Sequence, residues 1–206
     1  MIITVEQPKH AAAIEALLDA SFGPDRFQKT AYRLRDGVDS IPELNLVAIE
    51  HDEHGNEILE GTIRYWPITV GGTTSLLLGP IAVAGRLQGG GLGSKLIRMS
   101  LNKAIAHGHK SVILVGDAPY YERFGFSRSL TLGMQMPGPV DMNRLLGLEL
   151  VEGALDGVSG MIGPAEATAP VLPGVAETAA PLSFLFARPW PRMGRERMWA
   201  DATNAA

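Results

Sequence analysis

One stretch of this 206-residue chain concentrates the residue types that can hold a diphosphate. From Ile81 to Lys95 it reads Ile-Ala-Val-Ala-Gly-Arg-Leu-Gln-Gly-Gly-Gly-Leu-Gly-Ser-Lys: a buried strand, a short glycine-rich loop, then an amphipathic helix. A helix start offers unpaired N–H donors and a partial positive charge, and glycines let a ligand approach the backbone closely. Without a ligand, the same residues make only a tight strand-to-helix turn. A P-loop would need Gly-Lys-Ser/Thr, whereas here Gly93 is followed by Ser94 and only then by Lys95. The dinucleotide pattern G-x-G-x-x-G fits Gly89 and Gly91 but meets Ser94 at its third glycine. It also finds Lys110 and Ser111 where an acid should follow. Both patterns fail on position.

A third pattern fits without repair. Gln88-x-x-Gly91-x-Gly93, after a strand and opening a helix, resembles the Q/R-x-x-G-x-G/A acetyl-CoA motif of the GNAT superfamily of N-acyltransferases. Further on, Tyr121-Glu-Arg-Phe-Gly-Phe126 is similar to the Y-[EK]-[KR]-x-G-F segment of that family. Leu78-Gly-Pro-Ile-Ala-Val83 and Val115-Gly-Asp-Ala-Pro-Tyr-Tyr121 resemble a bacterial subgroup of acetyltransferases. The likeness covers about three quarters of the chain and stops near residue 163. It implies an α+β (α/β three-layer) fold with a mixed, mostly antiparallel central sheet flanked by helices.

The resemblance also implies roles. Ile81, Ala82 and Val83 would pair through their backbones with a pantetheine arm, and Gln88, Gly89, Gly90, Gly91, Leu92, Gly93 and Ser94 would wrap the diphosphate of acetyl-CoA, the cosubstrate. An amine would attack the thioester directly, with the backbone N–H of Ile81 stabilising the oxyanion and Tyr121 protonating the departing thiolate. A phenol with an ordinary pKa near ~10 is protonated at neutral pH and suits that acid role. Tyr120 lies one residue off the motif. Many family members carry an asparagine seven residues before the tyrosine; here that position is Leu114. The general base stays open between Asp117, Glu60, His51 and a water relay. A non-catalytic acyl-CoA-binding regulatory module on the same fold is the alternative.

The elements that must position these residues follow from periodicity. Residues 2–5 read as a strand, and Pro8 opens a helix with Ala11, Ile14, Leu17 and Leu18 on one face, ended by Gly23-Pro24. A second helix is expected over Arg26–Arg35, with Phe27, Ala31 and Leu34 inward. Leu44–Ile49 and Ile58–Ile68 flank the turn His51–Asn56 and read as a hairpin, and Thr74–Val83 is a central strand that should bulge or splay at Gly79-Pro80. Gly91–His107 carries Leu92, Leu96, Ile97, Leu101, Ala104 and Ile105 on one stripe. Ser111–Val115, a short helix from Pro119 to Phe124, and strands over Ser127–Met136 and Leu146–Val151 complete the pattern.

Composition narrows the chemistry. Without cysteine there is no disulfide, thiolate metal site or cysteine nucleophile. His51-x-x-His54 has no matched third ligand, so no metal is expected. His107 and His109 flank a helix-stop glycine and read as solvent-facing, and Arg86, Lys95 and Arg98 are within reach of CoA phosphates. A net charge of -4 argues against a nucleic-acid binder. The start of the chain lacks a secretory pattern, and no apolar run is long enough for a bilayer, so a cytoplasmic protein acting on a small-molecule amine or a protein amino group is expected. Residues 1–163 are expected to form the acetyltransferase domain. Residues 164–206, rich in Ala and Pro, are expected to be an extension that docks on this chain or supports a homodimer through its aromatic residues.

Overall fold

The computed structural model describes residues 1–165. Strand β1 (Ile2–Val5) leads through a 3-10 turn at Pro8 into helix α1 (Ala11–Phe22), which Gly23 ends at φ 79°. A 3-10 turn over Pro24–Gln28 and the single turn α2 (Thr30–Arg33) follow. The hairpin is β2 (Leu46–His51) and β3 (Glu57–Val70), and β4 (Thr73–Val83) continues it. Helix α3 (Leu92–Ala106), β5 (Ser111–Val115), α4 (Ala118–Tyr121), β6 (Met134–Gln135), β7 (Leu145–Glu149) and β8 (Gly160–Pro164) complete the described residues.

The strands run in the order β1-β2-β3-β4-β5-β7, antiparallel throughout except for the parallel pair β4–β5. Strand β3 is long enough to have two partners in succession on one side. Leu46–His51 of β2 pair with its first half, and Ile162–Pro164 of β8 pair with Ile68–Val70. The domain boundary expected at 163 therefore falls inside a strand, and the rest of the expected extension lies outside the described residues.

The helices cover both faces because the strands are apolar on both. On one face Leu92, Leu96, Ile97, Leu101 and Ala104 of α3 pack on Ile63, Tyr65, Leu76, Leu78 and Leu114. Fully burying an aliphatic chain such as Leu96 or Ile97 contributes about 2 kcal/mol. On the opposite face Ile14 and Leu18 of α1 cover Val47 and Ala82, and Leu34 joins Trp66, Ile68, Leu77 and Ile113.

Four local expectations are corrected. The helix expected over 26–35 is a 3-10 turn plus one α-turn, with Phe27 60% exposed and Arg26 buried in its place. Arg26 goes inside because Nε donates to Asp19 at 2.8 Å and Nη2 to Glu15, two acids four apart on α1. Ile105, expected in the α3 stripe, is 41% exposed. Ser127–Met136 is not one strand: Ser127 bridges Gly147, Arg128–Thr131 forms a 3-10 turn, and only Met134–Gln135 pairs, with β8. The chain leaves the sheet because the Ser127 hydroxyl accepts from the Ser129 N–H and starts that turn.

Candidate active site

The sheet opens where the sequence breaks its own pattern. Strands β4 and β5 are paired only at Leu76–Val112 and Leu77–Ile113. Beyond those pairs β4 stays with β3 as far as Val83, while β5 stays with β7 as far as Val115. The register of β3 against β4 slips between Ile63 and Tyr65, opposite Gly79-Pro80, so the bulge expected there is present. A wedge therefore separates Gly79–Val83 from the end of β5.

Main-chain polarity in the wedge follows from the alternation of an antiparallel ladder. The Ala84 N–H donates to the Glu60 carbonyl at 2.9 Å, and Ala82 opposite Thr62 is the preceding pair of the same kind. Ile81 and Val83, the alternate residues, thus direct N–H and C=O away from β3, into the wedge. The Val83 carbonyl accepts from Gln88 Nε2 at 3.3 Å, in keeping with that direction. The groups of Ala82 are engaged with β3, so of the three residues expected to offer main-chain bonds only Ile81 and Val83 face the open side.

At the wide end lies the glycine loop. Gly85–Leu87 make a 3-10 turn, the Gly90 N–H donates to the Leu87 carbonyl at 3.2 Å, and Gly89 and Gly91 take φ 80° and 85°, conformations that glycine adopts without steric cost. Gly91 caps α3 without a side-chain bond, and no acid occupies the first turn. The first intrahelical N–H bond is that of Lys95 to the Gly91 carbonyl, 3.0 Å, which leaves the N–H groups of Leu92, Gly93 and Ser94 without helical acceptors. Those of Gly90 and Gln88 are instead spent inside the loop, Gln88 on Gly85 at 3.2 Å. Arg86 pairs with Glu50 at 3.3 Å and with the buried Glu60, and Arg98 stacks 5.2 Å from the Phe124 ring.

The two tyrosines flank the wedge from the β5 side. The Asp117 carbonyl accepts from the N–H groups of both Tyr120 and Tyr121, each at 3.1 Å, which fixes α4 at the strand end. The Tyr121 ring lies against Gly116, so closely that a Cβ there would be 2.3 Å from Cε2, and meets Phe126 edge-on at 5.9 Å. Burial raises the Tyr121 pKa well above the ordinary phenol value, with the neighbouring Tyr120 adding to the shift, so the hydroxyl keeps its proton. Leu114 is buried in the core beneath.

Among the possible bases, topology separates the three. His51 is exposed on β2, with β3 and β4 between it and the wedge; Glu60 lies on β3, one strand removed, with its carboxylate tied to Arg86. Asp117 alone stands at the wedge, exposed at the end of β5. No group of three or more His, Asp or Glu suited to a metal ion occurs among the described residues, and none of their helices is long and apolar enough to cross a membrane. Sequence reasoning missed Arg35, whose guanidinium lies beside Gly79. It sits in a charged stretch with Lys29, Arg33 and Asp36, so nothing in the local sequence singles it out.

A sheet split between its parallel fourth and fifth strands, with an uncapped glycine-rich helix start at the split, defines the architecture of acyl-CoA N-acyltransferases. The chain belongs to the GNAT family of N-acetyltransferases. Residues 42–128 match the family's Acetyltransferase (GNAT) domain. The chain is 32% identical over 164 residues to the N-acetyltransferase YhbS of Escherichia coli K12, a likeness covering 79% of this chain and 95% of that protein. The crystal structure of Escherichia coli YhbS in complex with CoA superposes with a TM-score of 0.66 at 30% identity, covering 80% of this chain and 89% of that one. A GNAT family acetyltransferase from Brucella melitensis in complex with acetyl-CoA gives 0.56 at 28% identity, over 80% and 95%.

Proposed function

We propose that this acetyltransferase moves an acetyl group from acetyl-CoA to a primary amine of a small molecule or a protein, using the β4–β5 wedge as its reaction site. The observation that carries the proposal is the outward main chain of Ile81 and Val83 beside three uncommitted amides at the start of α3. An extended amide-bearing arm can add to that edge as another strand, and a diphosphate suits the helix start. The Leu92, Gly93 and Ser94 amides would take the phosphate oxygens. Gln88, Gly89, Gly90 and Gly91 would shape the loop around them, and Ala82 would hold its neighbours in register. The relatives that bind CoA and acetyl-CoA support the same reading.

Acetyl-CoA supplies an activated thioester carbonyl that a neutral amine attacks directly, forming the C–N bond as the C–S bond breaks. The Ile81 N–H, fixed in the ladder and directed into the wedge, stabilises negative charge growing on an oxygen held there. Tyr121, kept protonated by burial, gives its proton to the departing sulfur. The amine's surplus proton leaves by Asp117 or through water. Tyr120 is a second reading for the acid, favoured by the approach of its hydroxyl to Gly93.

Calorimetry with CoA and release of free thiol against a panel of amines test the proposal. Binding with turnover supports it, and binding without turnover on any amine favours a regulatory module. Absence of association at millimolar CoA overturns it.

A further inference from the structure

Three arginines, Arg26, Arg35 and Arg64, lie together on the sheet face opposite α3, and they are not alike. Arg64 donates to both oxygens of Glu6, at 2.7 and 2.6 Å, and to Glu15 at 3.3 Å. Arg26 is held by Glu15 and Asp19. Among the described residues Arg35 has no carboxylate partner. Its guanidinium is stacked between the rings of Tyr32, 4.2 Å, and Trp66, 4.8 Å, and its Nε and Nη1 are buried without a hydrogen-bond acceptor. Buried donors left unpaired are costly, and a charged one more so. Burial lowers its pKa to about 10, which leaves it charged at neutral pH.

The position of this group gives the unpaired edge its meaning. Arg35 Nη2 lies 3.8 Å from the point a Cβ on Gly79 would occupy, and apart from Leu78, Gly79 and Pro80 themselves no other atom of the described residues comes within 4 Å of that point. Gly79 stands where β4 leaves β5, two residues and roughly 7 Å of strand from the Ile81 amide. The tyrosine and tryptophan rings cover the guanidinium faces, so a ligand meets its edge. From this we infer that the acceptor is an amine carrying a carboxylate close by, amino-acid-like, and that Arg35 holds the carboxylate in the plane of its guanidinium.

A carboxylate is the fitting anion on two counts. It is planar and matches a guanidinium edge. It also carries one charge: the three arginines together only balance Glu6, Glu15 and Asp19, and a phosphate dianion would add twice the negative charge beside those three acids. The inference rests on the proposed acetyl transfer and names its substrate class.

The test uses the full chain with the L-amino acids, the corresponding carboxamides and the corresponding aminophosphonates, read by thermal shift with and without CoA and by thiol release. Expected are a free-acid preference over the carboxamide of roughly 10- to 100-fold in kcat/KM, carried in KM, and a thermal shift from the acid alone. Arg35→Gln should abolish the preference while CoA affinity is unchanged, and Arg35→Lys should restore part of it. Should Arg35→Gln fail to fold, the acid-to-amide ratio of the unaltered protein decides. Equal response to acid and amide, a preference for the phosphonate, or an unchanged preference in folded Arg35→Gln overturns the inference. Failure of CoA to bind at all sinks the acetyl-transfer reading beneath it, a distinguishable result.

Discussion

The hydroxyl of Tyr120 lies 3.0 Å from the point that a Cβ on Gly93 would occupy, and Val83 Cγ2 and Ile81 Cδ1 lie 3.7 and 4.0 Å from the same point. The first turn of α3, the free edge of β4 and the helix after β5 thus converge on the one residue that has no side chain to hold them apart. Three segments distant in sequence define the width of the wedge at a glycine.

Gly93→Ala should therefore act on the ligand and not on the fold. The Gly93 backbone is in an ordinary conformation, and the crowding falls on the tip of a tyrosine that can move a few tenths of an ångström. CoA affinity is expected to fall roughly tenfold or more with little change in Tm. Gly91→Ala should do the reverse: its Cβ would meet nothing within 4 Å, but φ is 85°, and forcing a side chain into that region costs about 1–2 kcal/mol. Calorimetry with CoA and thermal melts on both variants check the contrast.

For Tyr121→Phe the expectation is a fall in kcat of roughly 100-fold or more with CoA affinity retained. Tyr120→Phe should change CoA affinity more than kcat, and the opposite outcome would transfer the acid role to Tyr120. The pH dependence has a definite sign. An acid works while it holds its proton, and burial raises the Tyr121 pKa, so its alkaline limb in kcat should lie above the ordinary value near ~10. A fall in kcat near pH ~8 that vanished in Tyr121→Phe would contradict the burial of this phenol.

The parts of the site that local sequence dictates were the readable ones. Gly79-Pro80 announces a break in β4 by backbone chemistry alone, and the glycine run announces a tight strand-to-helix turn, although only the fold shows that Gly89 and Gly91 are the ones at positive φ. What escaped depends on partners outside the local period. Phe27 follows the helical period but stays exposed, because Arg26 takes the inward place by pairing with Glu15 and Asp19. Strand β8 carries two glycines and a proline in five residues, and it exists because β3 outruns β2 and leaves an edge to fill. Arg35 becomes conspicuous only once Arg26 and Arg64 are seen to have taken Glu6, Glu15 and Asp19.

Glu60 and Arg86 tie the glycine loop to the sheet. Glu60 is 1% exposed, its Oε1 is met by Arg86, and its Oε2 has no partner among the described residues. Arg86→Met would leave a buried carboxylate without a counter-charge, a larger loss than that of the contact itself. Tm is expected to fall by several degrees, and adding Glu60→Gln should recover most of the drop. If the double variant melts no higher than Arg86→Met, the pair contributes through packing and not through charge.

The phenol of Tyr65 is buried beneath α3, and its hydroxyl is 2.8 Å from Ser100 Oγ, which also lies 3.0 Å from the Ile97 carbonyl. The pair is asymmetric. Tyr65→Phe leaves the serine hydroxyl with a backbone acceptor and should cost about 1 kcal/mol. Ser100→Ala leaves the tyrosine hydroxyl buried with no partner among the described residues, and removing one member of a buried pair costs about 1–3 kcal/mol. Burial raises the Tyr65 pKa, so the group cannot escape by ionising at neutral pH. Urea unfolding should therefore rank Ser100→Ala below Tyr65→Phe in stability, although alanine is the better helix former. The reverse order would mean that the Tyr65 hydroxyl finds another acceptor within the wedge, next to Tyr121, whose proximity also raises its pKa.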